Sequence, residues 1–293
     1  IPGDALQLLP GSGETVGAAL VADPRVRGVL FTGSNAVARL LQQSLAGRVD
    51  ADGRLPTLVA ETGGQNAMIV DSSALAEQVV ADVVASAFDS AGQRCSALRL
   101  LCVQEDVADR TLAMLDGAMR ELAMGPTARL ATDIGPVIDD DARASIEQHI
   151  ETLRVRGAAV SQPVADTIAR DLTQGSFVPP TLIEVAHVSE LEREVFGPVL
   201  HVLRFRRDEL SGLVDAINAT GFGLTFGVHS RIDETIDFVT SRIHAGNVYV
   251  NRNMIGAVVG VQPFGGEGLS GTGPKAGGPL YLRRLMKEVA QTP

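Results

Sequence analysis

The sequence of 293 residues lacks the features of a membrane protein and of a nucleic-acid-binding protein. No stretch approaches the ~18 to 20 uninterrupted apolar residues that a membrane helix needs, so no segment is predicted to cross a membrane. Positive charge is scarce, with 25 basic against 35 acidic residues and a net charge of -10. Because nucleic acids are bound mainly through cationic groups, this balance argues against DNA or RNA as a partner.

Cysteine is also scarce, since only Cys95 and Cys102 are present. Two cysteines and no signal-peptide pattern predict a reducing compartment, the cytoplasm, rather than a disulfide-stabilised secreted domain. Cys102 lies in the mainly apolar run at 98–103, which is typical of a buried strand, so we expect it to be a core residue. Only Cys95 is left as a candidate for chemistry.

What is present is an alternation of short apolar runs and amphipathic stretches, which predicts the α/β class. The length favours two lobes. Strands are expected at 26–31, 55–60, 98–104, 199–206, 224–229 and 247–250. Helices are expected at 35–45, 75–88, 106–123, 140–156, 208–219 and 232–242. The glycine-dense stretch at 256–279 is predicted to be a loop whose backbone approaches a ligand or a second chain.

Cys95 and Glu61 are the candidate reactive pair. The thiolate rather than the thiol is the nucleophile, and a nearby cation or helix end would lower the pKa of the thiol and help to ionise it. Arg94, which precedes Cys95, is such a cation. Glu61 ends a predicted strand and is followed by a glycine turn, which we expect to expose its carboxylate as a general base. Taken alone, each residue has an ordinary alternative, a packed small side chain for Cys95 and a solvated strand end for Glu61. The pair is more informative than either member.

Gly33 and Ser34 lie where a predicted strand meets a predicted helix. Backbone N–H groups and a hydroxyl at the start of a helix form a natural pyrophosphate site. The alternative is that Ser34 only caps the helix. The glycine pattern at 11–17 mimics a dinucleotide-binding motif, but it has three residues before its last glycine, so no phosphate is placed there.

Five motifs in order make the sequence resemble the aldehyde dehydrogenase superfamily: FTGS at 31–34, ETGG at 61–64, GQRC at 92–95, EVFGP at 194–198 and PFGG at 263–266. The resemblance covers essentially the whole chain, and the separation of 34 positions from Glu61 to Cys95 agrees with the family's spacing. It implies an aldehyde dehydrogenase-like α/β fold, with a partial Rossmann-type coenzyme domain beside an α/β catalytic domain. NAD is the implied cofactor, and no metal is expected.

The same resemblance implies a role for each motif. Cys95 would attack the aldehyde, and Glu61 would activate the water that hydrolyses the resulting thioester. On the cofactor side, the pyrophosphate would be received by Gly33 and Ser34, the nicotinamide ribose by Glu194, and the nicotinamide ring would lie beside Phe196. On the substrate side, an α-carboxylate would be anchored by Ser96 and the amides of Gly256 and Ala257, and the aldehyde pocket would be walled by Phe264.

Within the superfamily, segments at 94–96, 255–264 and 271–279 are similar to L-glutamate γ-semialdehyde (1-pyrroline-5-carboxylate) dehydrogenases, especially the dehydrogenase module of bacterial proline utilisation A enzymes. This implies NAD-dependent oxidation of the semialdehyde to L-glutamate, the second step of proline catabolism. FAD would be bound only by a proline dehydrogenase module upstream. Two alternatives stay open, a dehydrogenase for another carboxylated aldehyde such as succinate semialdehyde, and a non-catalytic fragment of the family.

The resemblance also implies a domain plan. Residues 1–63 would be the C-terminal half of the NAD-binding domain, 64–269 the catalytic domain, and 270–293 a segment returning toward the coenzyme and oligomerisation region. We expect the N-terminal part of the coenzyme domain to be missing from this sequence, and with it a lysine for the adenosine ribose and an asparagine of the oxyanion hole. The complete protein is expected to be a homo-oligomer acting on a small-molecule aldehyde.

Overall fold

The computed structural model describes residues 2–49, 53–164, 172 and 175–286. Its α-helices are α1 (Ala18–Ala22), α2 (Asn35–Ala46), α3 (Ala76–Phe88), α4 (Glu105–Arg120), α5 (Asp140–Val155), α6 (Leu210–Ala219), α7 (Asp233–Thr240) and α8 (Tyr281–Leu285). Its strands are β1 (Gly28–Thr32), β2 (Thr57–Glu61), β3 (Ala67–Val70), β4 (Leu100–Gln104), β5 (Val160–Ser161), β6 (Thr181–Glu184), β7 (Val199–Phe205), β8 (Phe222–Gly223), β9 (Thr225–His229), β10 (Asn247–Val250) and β11 (Glu267–Gly268).

The main sheet has seven strands in the order β10-β9-β3-β4-β7-β6-β5. All neighbouring pairs are parallel except β5 with β6. In the centre, Ile69 lies opposite Cys102 on one side and Val228 on the other. Every residue of β3 and of β4 is buried, as expected for parallel strands covered on both faces.

Helices cover both faces of this sheet. Side chains of α3 and α4 pack with Met68 and Leu101 in one core cluster, whereas those of α5, α6 and α7 pack with Ile69 and Cys102 in the other. The alternation along β3 and β4 follows from the two-residue repeat of a strand. The N-terminus of α5 is capped by Asp139, whose carboxylate accepts a hydrogen bond from the Ala142 amide (2.7 Å).

A second, two-stranded sheet pairs β1 with β2 in parallel, from Gly28 opposite Thr57 to Thr32 opposite Glu61. The C-terminal segment returns to this sheet, because the Thr272 amide donates to the Ala60 carbonyl (2.9 Å) and Gly271 bridges Glu61. A separate sheet therefore precedes the predicted boundary at residue 63. We retain the division at 63 and 269 as a proposal.

The predicted α/β class is confirmed, but one interior strand was not predicted. The expected strands and helices have counterparts within a few residues, whereas β3, which lies between β9 and β4 inside the sheet, is absent from the predicted set. Its four apolar residues are too few to show a period, and a short apolar run fits a helix or a strand equally well. No helix in the described ranges is long and apolar enough to span a membrane.

Candidate active site

Cys95 follows an unusual turn. Three consecutive residues, Ser90, Ala91 and Gly92, have positive φ angles of 58°, 53° and 64°. A left-handed conformation is costly for side chains other than glycine, so the fold imposes it here. Glycine is required at position 92 for a second reason, since a Cβ there would overlap the carbonyl oxygen of Gly197. The turn therefore brings the backbone before Cys95 against the segment at 194–198.

Asn66 and Arg99 hold this turn from inside the protein. The Asn66 carboxamide donates to the carbonyl groups of Cys95 (2.7 Å) and Ala97 (2.9 Å), and its oxygen accepts from the Thr225 amide (3.1 Å). Arg99 donates to the Arg94 carbonyl (3.1 Å). Neither residue was predicted from the sequence, because a polar residue beside an apolar strand has no distinctive spacing.

Burial raises the pKa of the Cys95 thiol, and the negative charges of Glu194 and Glu61 raise it further. The amide of Ser96 opposes this shift in part. The expectation that a neighbouring cation would lower this pKa is wrong, since Arg94 instead directs its Nε to the Ser90 hydroxyl (3.0 Å). The resting site therefore favours the neutral thiol. Cys102 is fully buried in the core, as predicted.

Glu61 ends β2, but its carboxylate is not exposed as the glycine turn suggested. Its Oε2 accepts a hydrogen bond from the Gly266 amide (3.0 Å), and its buried Oε1 has no hydrogen-bond partner in the described part of the chain. Burial raises the pKa of Glu61, whereas the Gly266 amide and the charge of Lys275 lower it in part. The loop after Phe264 folds over Glu61 and causes this difference, which local sequence did not predict.

The junction of β1 and α2 has the predicted geometry. Ser34 is the N-cap of α2, and its hydroxyl accepts from the Val37 amide (3.3 Å), so the capping alternative is correct as far as it goes. The Gly33 amide donates to the Glu61 carbonyl (3.2 Å), which ties this turn to the end of β2. Ser34, Asn35 and Ala36 also line a cavity at the N-terminus of the helix.

Glu194 and Phe196 line the same cavity as this junction. Glu194 is largely buried. Its carboxylate accepts a hydrogen bond from the Gly64 amide and forms an ion pair with Arg99 (3.4 Å). Burial raises the pKa of Glu194, and Arg99 opposes that shift. The carboxylate occupies the space that a side chain at Gly63 would need. Phe196 is 45% exposed and stacks below the Arg99 guanidinium.

Of the four residues assigned to the substrate, Ser96 and Gly256 contact each other, whereas Phe264 contacts a different segment. Ser96 is buried, and its hydroxyl accepts from the Gly256 amide (2.9 Å), while Tyr249 donates to the Gly256 carbonyl (2.5 Å). Ala257 follows in the same loop. Phe264 pairs its backbone with Ala276. The structure thus joins Ser96 to the 256–257 loop and places Phe264 in the neighbouring C-terminal segment.

One cavity of about 1660 Å³ gathers the predicted catalytic and cofactor residues, Gly33, Ser34, Glu61, Cys95, Glu194 and Phe196. The substrate residues are not among those that line it. The cavity also reaches the segment at 186–193 and Arg39 of α2, neither of which was singled out from the sequence. A thiol, a carboxylate and a helix N-terminus thus share one cleft, an arrangement suited to acyl chemistry beside a phosphate-bearing ligand.

Comparisons with known proteins agree with this geometry. Residues 1–289 match the model of the aldehyde dehydrogenase family. The chain is 66% identical over 293 residues to the bifunctional protein PutA of Klebsiella aerogenes, covering 99% of the chain and 22% of that protein. A crystal structure of bifunctional proline utilization A superposes with a TM-score of 0.89 at 55% identity, covering 97% of this chain and 28% of that one.

A third relative is smaller. The 1-pyrroline-5-carboxylate dehydrogenase from Thermus with bound NAD superposes with a TM-score of 0.85 at 35% identity, covering 94% of this chain and 52% of that chain. The chain therefore spans about a fifth to about half of the length of the proteins it matches.

Proposed function

Because the chain belongs to the aldehyde dehydrogenase family, we propose that the protein containing it oxidises an aldehyde to a carboxylic acid with NAD. The observation that carries the proposal is the shared cavity, which brings Cys95, Glu61, Glu194 and the N-terminus of α2 together. A solved relative is described with bound NAD. Intact reactive groups in one cleft argue against the alternative of a non-catalytic fragment.

The residues of the cleft fit NAD. Free amides at the start of α2 and the positive charge of Arg39 suit a pyrophosphate, and the Glu194 carboxylate suits ribose hydroxyls. The half-exposed ring of Phe196 offers a flat apolar surface to the nicotinamide. NAD, when bound, supplies the acceptor for the hydride that leaves the substrate carbon.

Cys95 and Glu61 divide the covalent chemistry. The Cys95 sulfur, once deprotonated, adds to the aldehyde carbon, and loss of hydride from that carbon leaves a thioester on the sulfur. Glu61 then removes a proton from water, which attacks the thioester carbon and releases the carboxylic acid and the Cys95 thiolate. The raised pKa of Glu61 suits a base that must accept this proton.

We propose L-glutamate γ-semialdehyde as the aldehyde and L-glutamate as the product. The contact between Ser96 and Gly256 supports this choice, because it brings together two of the residues assigned to a substrate carboxylate, although the Gly256 amide donates to the Ser96 hydroxyl (2.9 Å) in this structure. The amide of Ala257 follows in the same loop. A Thermus relative is described as a 1-pyrroline-5-carboxylate dehydrogenase. Succinate semialdehyde, which also carries a carboxylate, is the second candidate.

Assembly and location are part of the same proposal. We propose a homo-oligomer in the cytoplasm that acts on a small molecule and binds no nucleic acid through this segment. Two relatives are described as bifunctional. FAD is assigned only to a proline dehydrogenase module outside the present sequence.

The test measures NADH formation by the complete protein that contains this sequence, with the two semialdehydes compared at steady state. Cys95→Ala should lose turnover by about 10⁴-fold or more and still bind NAD. Cys102→Ala is the matched control, since it removes the other thiol from the core and should retain turnover. Near-normal turnover in Cys95→Ala, or no NAD reduction by the folded parent, would contradict the proposal.

A further inference from the structure

Among the residues that the structure describes, Arg99 is the largest side chain that is almost fully buried, with 1% of its surface exposed. Its backbone is held just before β4, because its amide donates to the Asn66 carbonyl (2.9 Å) and its carbonyl accepts from the amide and the Nδ1 of His201 (2.9 and 3.0 Å). A guanidinium is costly to bury unless its charge and donors are satisfied. A cation at this depth therefore calls for an explanation.

The guanidinium contacts two separate segments at once. On one side, Nη2 donates to the Arg94 carbonyl (3.1 Å), the peptide group next to Cys95. On the other side, Nη1 donates to the Gly197 carbonyl (3.0 Å), and Nη2 meets the Glu194 carboxylate (3.4 Å). The guanidinium also lies over the Phe196 ring, 5.4 Å from its centroid.

The two segments touch directly at the same place. Gly92 packs so closely on the Gly197 carbonyl that no side chain fits, and Arg99 donates to that same carbonyl. A change in the position of Gly197 must therefore move the turn that carries Cys95. Only arginine offers several donors in a planar fork; a lysine in its place would keep the charge but could not reach the same acceptors together.

We propose that Arg99 is a positioning residue that locks the turn bearing Cys95 to the segment bearing Glu194 and Phe196, so that nucleophile and cofactor contacts are placed as one unit. Arg99 itself is buried and is not among the residues that line the cavity, so it acts through its neighbours. Its effect on NAD rests on the proposed function, whereas its effect on the two segments does not.

The experiment uses Arg99→Lys and Arg99→Met in the complete protein that contains this sequence. Amide hydrogen exchange should be about tenfold faster or more in peptides from both segments, around 92–97 and 194–198, and unchanged in β9. The Kd for NAD should rise about tenfold or more, with Arg99→Lys affected less than Arg99→Met because it keeps the ion pair. The pH dependence of Cys95 alkylation should also differ between these variants and the parent.

Arg48→Lys is the matched control. Arg48 also binds three carbonyl groups, those of Val21, Asp23 and Val26, but it does so at the opposite end of β1. It should speed exchange only near those residues and leave the Kd for NAD unchanged.

Three results would overturn the proposal. In the first, the Arg99 variants melt at lower temperature but keep the parental NAD affinity and alkylation profile. That result would assign Arg99 a purely structural role. In the second, exchange accelerates in one segment alone. In the third, neither variant folds, which also assigns Arg99 to stability. A parent that does not bind NAD contradicts the proposed function, and the exchange result then decides the role of Arg99 by itself.

Discussion

The two reactive residues are held in place by different means. Cys95 follows a strained turn, and two buried polar side chains, Asn66 and Arg99, donate hydrogen bonds to the carbonyl groups of Cys95 and Arg94. Glu61 ends an ordinary strand and is covered by a glycine-rich loop, whose Gly266 amide binds it and whose Gly265 leaves room for it. A Cβ at Gly265 would lie 2.7 Å from Oε1 of Glu61.

This difference separates two ways of building a site. The nucleophile needs a fixed backbone, and buried hydrogen bonds to its carbonyls provide one. The base, Glu61, is held by one hydrogen bond from an amide to its carboxylate, and its Oε1 has no partner among the described residues. Its position is therefore fixed by fewer contacts than that of Cys95. We therefore expect substitutions near Cys95 to alter stability and reactivity together, and substitutions at Glu61 to alter chemistry with little change in stability.

Among the substitutions that test this comparison, the largest effect is expected for Glu61→Gln, which removes the base and keeps the shape of the side chain. Thioester hydrolysis in the complete protein should slow by about 10²- to 10⁴-fold, the usual contribution of a general base. Formation of the thioester should persist, so stopped-flow mixing should show one burst of NADH per active site followed by little turnover. Loss of the burst along with turnover would instead place Glu61 in the first half of the reaction.

The next largest is expected for Gly92→Ala. The substitution forces alanine into a left-handed conformation and against the Gly197 carbonyl, which should destabilise the fold by about 2 kcal/mol or more. Chemical denaturation measures this loss. Gly117→Ala is the control, because that glycine lies in α4 with open space around its Cβ and should gain about 0.5 to 1 kcal/mol. Equal effects at both sites would refute the close contact.

A smaller loss is expected for Asn66→Ala. It leaves buried groups of Cys95, Ala97 and Thr225 without their partner and should cost about 1 to 3 kcal/mol. The freed turn should also change the rate at which iodoacetamide modifies Cys95. Asn218→Ala also removes a carboxamide that bonds two backbone groups, at Arg242 and His244, and should leave Cys95 reactivity unchanged. A change in both variants would disprove a local role for Asn66.

The smallest effect is a shift in the pH at which Cys95 reacts. Burial and the charges of Glu194 and Glu61 raise its pKa, so alkylation should reach half its maximal rate above the ~8.5 of a free cysteine. Glu194→Gln removes one of these charges, so the midpoint should fall, yet stay above the free value because burial persists. Mass spectrometry locates the adduct on Cys95 rather than on the buried Cys102. A midpoint below that of free cysteine in the parent would contradict the assigned environment.

Much of this site was predictable because its motifs are local. The junction at Gly33 and Ser34 and the strand that delivers Glu61 each depend on neighbours in the sequence, and the order of the motifs identified the family. The residues that were missed act at a distance. Asn66 reaches Cys95 across 29 positions and Arg99 reaches Gly197 across 98, and no periodicity marks such a pair.

The sequence by itself determined the α/β class, the family and the order of the reactive residues, because these depend on composition, short-range periodicity and motifs. Tertiary structure decided the ionisation of those residues. The neighbour of Cys95 in sequence is a cation, but its neighbours in space are Glu194 and Glu61, and burial reinforces their effect. A glycine turn follows Glu61, yet a loop more than 200 positions away binds one of its carboxylate oxygens, and the other oxygen is buried. A pKa depends on desolvation and on charges nearby in space, and both are known only once distant segments have packed together.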